Sequence, residues 1–252
     1  RSLGISEKEK IKIAVKSLGL DDLSPFHPEK KIIEYLIQDK STKQLVELDL
    51  ESFSAETASE SPAPGGGSVS AYCAALGVSL ATMVANLSSH KRGWDDKWEY
   101  FSDWAEKGEA LRRQLVEAVD EDTLSFKKIM EAYGMPKNKP EEKEARKKAI
   151  ADATKYAAEV PMKVATLAAE SFDIIETMVK EGNPNSITDA AVGALCARTA
   201  ILGAVMNVKI NLVDFEDRKF VEEMMEKAEK LSEIANDREK AITDYTNQKI
   251  QA

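Results

Sequence analysis

The chain has 252 residues, 43% hydrophobic and 31% charged, with a net charge of -9. That balance fits one large globular domain, or one domain with an appendage, and disfavours general nucleic-acid binding. The two cysteines, Cys73 and Cys196, lie in apolar runs, and the two histidines, His27 and His90, are isolated. No disulfide framework and no four-ligand metal pattern follows, and the thiols read as small core residues of a reduced, cytoplasmic protein.

The chain opens Arg1-Ser-Leu-Gly, without methionine or an apolar leader, and reads as a piece of a longer protein. Apolar residues then recur with a period near 3.6 almost throughout, which predicts helices. Ser6 to Ser17 reads as a short amphipathic helix with Ser6 as N-cap and Gly19 as stop. A proline-bounded stretch, LSPFHPEKKIIEYLIQ, follows, and residues 39–44 read as a linker. A boundary near residue 42 divides an N-terminal segment, 1–42, from a helical domain, 43–252. Leu45 to Ser59 can form a helix over Val46, Leu50 and Phe53.

The stretch SPAPGGGSV then leads into an apolar run of small residues to about Ser89. The run is long enough to raise the question of a membrane. Ser70, Ser79, Thr82 and many alanines favour a buried bundle helix instead. Three uses of the glycines compete. A nucleotide cradle is disfavoured, since the G-x-x-x-x-G-K-[ST] pattern is absent and no strand precedes it. A plain turn with Ser68 as N-cap is the bland reading. The third is a loop whose bare backbone lies against a ligand, because three glycines exceed what a cap requires.

A long helix is predicted from Trp94 to Tyr133. A turn, GMPKNKPEE, precedes a helix from Lys139-Pro140 to about Lys180 that Pro161 bends midway. Helices from Ser186 to Leu212 and from Glu216 to Gln251 complete the chain. The expected architecture is all-α, a bundle of about five long helices whose alanine-rich faces suit a homodimer.

In the helix from Trp94, the residues Trp104, Leu111, Leu115, Val119, Phe126, Ile129 and Tyr133 share one stripe. Asp122 falls inside it, whereas Glu117, Asp120 and Glu121 project elsewhere and read as solvated. An acid in an apolar stripe is paired, protonated or functional: either a hydrogen-bond anchor or a proton carrier with a raised pKa. Asn207 and Asn211, four apart, share a face of an apolar helix and suit interhelical hydrogen bonds or ligand recognition. Ser186 and Asp189 fit a capping box. His90-Lys91-Arg92 and Lys137 are cations at helix ends, and Arg146-Lys147-Lys148 reads as a solvated face.

Several stretches together resemble the C-terminal part of the formiminotransferase-cyclodeaminase family. They are SPAPGGGSVSAYCAALGVSLATMVANLS, LVEAVDEDTLSFKKIMEAYGMPKNKPEEK, EGNPNSITDAAVGA and AVMNVKINL, in order over about residues 45 to 250. KIKIAVKSLGLDDLSPFHPEKKIIEYLI is similar to the end of that family's formiminotransferase half. The resemblance implies a formimidoyltetrahydrofolate cyclodeaminase, with methenyltetrahydrofolate cyclohydrolase as the runner-up. A non-catalytic assembly domain of a folate enzyme is the reading from another class. The resemblance further implies Asp122 as the catalytic acid and base, and Gly65, Gly66, Gly67 and Ser68 as a ligand-facing helix start. Asp189, Asn207 and Asn211 become pterin contacts, and Arg92 and Lys137 contacts to the glutamate tail. A folate substrate, a fused or separate formiminotransferase, and no metal, redox cofactor, nucleic acid or membrane are implied with them.

Overall fold

The computed structural model describes residues 7–22, 24–33 and 44–251. The expected N-cap at Ser6 and the boundary near residue 42 lie outside the described residues. Helix α1 spans Glu7–Ser17 and is followed by Gly19 at φ +62, the left-handed conformation that suits a glycine stop. Pro28–Lys31 forms a single helical turn. The helix expected from Leu45 to Ser59 is split into a 3-10 turn, Leu45–Glu47, and α2, Leu50–Thr57. Asp49 causes the break: its carboxylate accepts the Ser52 N–H at 2.7 Å and so starts a new helix.

Five long helices follow: α3 (Gly66–Ser89), α4 (Trp98–Gly134), α5 (Pro140–Glu181), α6 (Ile187–Asn211) and α7 (Arg218–Gln251). They are the expected all-α bundle. The start of α4 falls at Trp98 rather than Trp94, because Trp94 is held in the preceding turn with its ring stacked 5.5 Å from Phe101.

Helix α3 sits at the centre, packed on α4, α5 and α6, while α7 closes the far side against α5 and α6. Its composition explains the position, since small residues let neighbouring backbones approach. A Cβ at Gly77 would lie 2.8 Å from the Gly193 carbonyl oxygen, and one at Gly193 would lie 2.8 Å from that of Gly77. A Cβ at Gly108 would lie 2.2 Å from Thr82 Oγ1. Around this close-packed centre Phe101, Leu115, Phe172, Ile175 and Ile201 are fully buried. Each contributes roughly 1.5–3 kcal/mol by leaving water. Gly66–Ser89 and Pro184–Asn211 are long and apolar enough to cross a membrane, but 61% and 50% of their most apolar windows are buried inside the bundle.

Two packing facts place the site. Gly66 lies against Asn207, and Gly203 against Ser70. Helices α3 and α6 are therefore antiparallel, with the glycine-led start of α3 beside the last turns of α6. Pro161 lies inside α5, as the sequence predicts.

Candidate active site

The start of α3 is capped from another helix. Gly65 is the N-cap, with φ -103, and gives no side-chain hydrogen bond. Ser68, expected as N-cap, instead occupies the first turn. Its N–H donates to Asp122 Oδ2 at 2.9 Å. Its hydroxyl lies 2.9 Å from the Val119 carbonyl oxygen and 3.1 Å from the same Asp122 oxygen. The carboxylate of α4 thus satisfies a free N–H at the positive end of α3. The side chain is half-buried, and burial pushes its pKa up; the two hydrogen bonds from Ser68 pull it part of the way back.

None of the three glycines has positive φ, and Gly66 and Gly67 are needed for room rather than for conformation. A Cβ on Gly67 would fall 2.1 Å from Asp122 Oδ1, so only a bare backbone lets the carboxylate dock. A Cβ on Gly66 would meet Asn207 Nδ2 at 3.2 Å. Gly65 faces open space, its nearest neighbour being the Pro62 carbonyl at 4.0 Å. Two of the three bare positions face the protein's own polar side chains, and one faces solvent.

Asp122, Asn207, Asn211 and the three glycines line one cavity of about 180 Å³, bounded on its apolar side by Phe126 and Ile129. Asn207 Nδ2 donates to the Gly203 carbonyl at 2.9 Å, and Asn211 Nδ2 to the Ala157 carbonyl at 2.8 Å. Ile129 and Asn211 also border a neighbouring groove of about 520 Å³ lined by Tyr133, Ile150, Ile210 and Phe215. Phe126 and Tyr133, expected in a buried stripe, are exposed because the last turns of α4 border these open spaces, Phe126 the cavity and Tyr133 the groove.

Other expected site residues lie elsewhere. Asp189 stands at the opposite end of α6, about 27 Å along the axis from Asn207 at 1.5 Å per residue. Arg92 follows the far end of α3, a helix about 36 Å long by the same measure. Lys137 is exposed in the turn after α4, whose last residue lies about 18 Å along the axis from Asp122. The capping box at Ser186 does not form, since neither expected side-chain bond is made there. Instead Asn183 N–H donates to Ser88 Oγ at 2.8 Å and ties the start of α6 to the end of α3.

Two of the acids read as solvated have structural partners. Asp120 accepts the Leu45 N–H at 2.7 Å, and Glu121 accepts from Lys163 at 2.7 Å and Tyr156 at 3.1 Å. Glu117 is exposed as expected. Of the basic run, Arg146 bonds the Tyr133 carbonyl at 3.2 Å, and Lys147 pairs with Glu216 at 3.0 Å. Sequence reasoning missed Lys147 as a border of the groove, because its acidic neighbours in the chain resemble an ordinary solvated face.

Comparisons with known proteins converge on one family. Residues 49–230 match a family described as "Formiminotransferase-cyclodeaminase", and residues 1–38 match "Formiminotransferase domain". A formimidoyltransferase-cyclodeaminase of Gallus gallus is 38% identical over 232 residues, covering 92% of this chain and 43% of that protein. A methenyltetrahydrofolate cyclohydrolase of Methylorubrum extorquens is 35% identical over 201 residues, covering 80% of this chain and 97% of that protein. The crystal structure of a formiminotetrahydrofolate cyclodeaminase from Thermotoga maritima superposes with a TM-score of 0.71 at 28% identity, over 81% of this chain and 98% of that one. The chain spans less than half the length of the formimidoyltransferase-cyclodeaminases it matches.

Proposed function

The chain belongs to the formiminotransferase-cyclodeaminase family, and we propose that it cyclises 5-formimidoyltetrahydrofolate to 5,10-methenyltetrahydrofolate with release of ammonia. The observation that carries this reading is Asp122, a carboxyl group of raised pKa, fixed on the wall of a cavity by the start of α3. The reaction joins N10 of the folate to the formimino carbon on N5 and then breaks the bond from that carbon to the formimino nitrogen. N10 gives up a proton and the leaving nitrogen takes one. A carboxylate beside both can accept the first proton and return it as the second.

The charge balance favours the same group. A protonated formimino group is a cation, ammonia leaves neutral, and the methenyl bridge keeps the positive charge. An anion at the cavity wall stabilises that charge throughout. The oxidation level of the carbon does not change, so the step calls for no redox cofactor.

The amides of Asn207 and Asn211 suit the donor and acceptor edge of a pterin. The arylamide arm then runs past Ile129 into the groove between Tyr133 and Phe215. Asp214, Glu216 and Asp217 also line that groove, which favours a neutral aryl group over a chain of carboxylates. The match of residues 1–38 supports supply of the substrate by a formiminotransferase, fused or separate. The free thiols of Cys73 and Cys196 support a reducing, cytoplasmic setting.

A second reading is favoured by the Methylorubrum extorquens relative, of which this chain covers 97%: opening of the methenyl bridge by water at the same acid. Two substrates separate the readings. With 5-formimidoyltetrahydrofolate, cyclodeaminase activity gives methenyl absorbance and ammonia together. With 5,10-methenyltetrahydrofolate alone, loss of absorbance faster than in buffer marks the cyclohydrolase and displaces our reading.

Ser68 gives a first quantitative check. Ser68→Ala removes a hydroxyl that lowers the Asp122 pKa, so that pKa rises further. The base form of Asp122 exists only above its pKa. The acidic limb of kcat/KM is therefore expected to move to higher pH, and an unmoved limb counts against Asp122 as the base.

A second copy of the chain is the macromolecular partner we propose. Val69, Leu76 and Leu87 on α3 and Val192, Leu195 and Met206 on α6 are exposed, forming an apolar face two helices wide. Pairing about a two-fold axis perpendicular to the helices would also set the Arg92–Asp189 end of one copy beside the Asp122 end of the other. Leu76→Asp with Leu195→Asp is expected to convert a dimer to a monomer in sedimentation velocity. A wild-type chain that sediments as a monomer overturns the pairing.

A further inference from the structure

Helix α5 carries a proline in its interior, and the consequence lies in the cavity. Pro161 has no N–H, so the carbonyl four residues earlier, Ala157, loses its helical donor. A buried carbonyl without a partner is costly, and the structure supplies one from another helix. Asn211, the last residue of α6, donates Nδ2 to Ala157 O at 2.8 Å. Ala157 and Asn211 both line the cavity that holds Asp122.

We infer that Pro161 is a positioning residue for ligand binding, acting through the orientation of the Asn211 amide. An asparagine on a helix end has a freely rotating amide and can present either oxygen or nitrogen. Here one N–H of the amide is held by the carbonyl that Pro161 releases, which fixes the direction of the oxygen offered to a ligand and leaves a single N–H beside it. Asn207 is set the same way, its Nδ2 on the Gly203 carbonyl at 2.9 Å. The cavity then offers two oriented amides, whose fixed oxygens suit the donors of a ligand edge, such as an amino group beside a ring N–H, and whose remaining N–H groups suit an acceptor on the same edge.

The mechanism requires that restoring a backbone N–H at position 161 return Ala157 to the helix and free the amide. Pro161→Ala does this without touching the cavity. The ligand assignment rests on the folate reading given above, whereas the amide orientation does not, so two readouts are used. The first is selective 15N-asparagine labelling of the unliganded full chain, with Asn211→Ala identifying the resonance. Slow exchange of the Asn211 side-chain amide is expected in the wild type and fast exchange in Pro161→Ala. Equal exchange in both overturns the inference whatever the substrate is.

The second readout is steady-state turnover of 5-formimidoyltetrahydrofolate, where wild-type activity tests the folate reading itself. KM is expected to rise about ten-fold in Pro161→Ala, the loss of one oriented hydrogen bond, with kcat within two-fold. In the Asn211→Ala background the same substitution is expected to change KM by less than about two-fold. A rise of equal size in both backgrounds would mean that the backbone of α5 around Pro161, and not Asn211, carries the effect, and would overturn the inference. Melting temperature serves as the control and is expected to hold or rise, because alanine replaces proline in a helix.

Discussion

Asp122→Asn is expected to cut kcat by about 10²- to 10⁴-fold while leaving the protein at least as stable near neutral pH. The two halves of that statement come from one environment. The carboxyl is half-buried, and burial raises its pKa above the ordinary 3.8 despite the opposing bonds from Ser68. A raised pKa means that the folded chain holds the proton over a pH window in which the unfolded chain has lost it. The stability from that proton is full below 3.8 and is lost as pH rises through the folded value. Above the window the buried charge is a standing cost. Asparagine removes the charge and keeps an oxygen to accept the Ser68 N–H. A purely structural aspartate predicts the opposite pair, a lowered melting temperature with activity retained in the folded fraction. Thermal melts at pH 7 and at pH 4.5, beside turnover, separate the two.

Gly67→Ala carries the next largest effect. The added methyl would stand 2.1 Å from Asp122 Oδ1 and 2.5 Å from its Cγ. Either the carboxylate turns away or the first turn of α3 shifts. Displacement of a catalytic group by about 1 Å costs on the order of 100-fold, and overpacking of this kind costs about 1–3 kcal/mol in stability. Gly65→Ala is the matched control. Its methyl projects toward open space at the cavity wall, so the melting temperature is expected to hold and only KM to rise. Equal damage from both substitutions would mean that the segment needs flexibility rather than room at one position.

The sequence carried the fold in its periodicity. Long apolar stripes with proline, acidic and glycine punctuation place α3 to α7 within a few residues, and Asp122 stands out as an acid on an apolar face. What periodicity cannot give is which ends of which helices meet. Asp189 and Asn207 share α6 but lie at its opposite ends, and Arg92 follows the wrong end of α3 to reach Asp122 within one chain. Ser68 has the right residue type for an N-cap, yet the cap comes from a carboxylate 54 residues away. Nor does sequence spacing show that Asn211 answers a proline 50 positions earlier, since that bond exists only once α5 and α6 are packed.

The most direct test of the central claim is the number of ammonia molecules released per methenyl group formed from 5-formimidoyltetrahydrofolate, measured on one sample of the purified chain. A ratio of about one is expected for the wild type, and both signals at background for Asp122→Asn, since one carboxyl serves bond formation and departure alike. Ammonia and methenyl formation that persist together in Asp122→Asn, or ammonia released without the methenyl product, would contradict it.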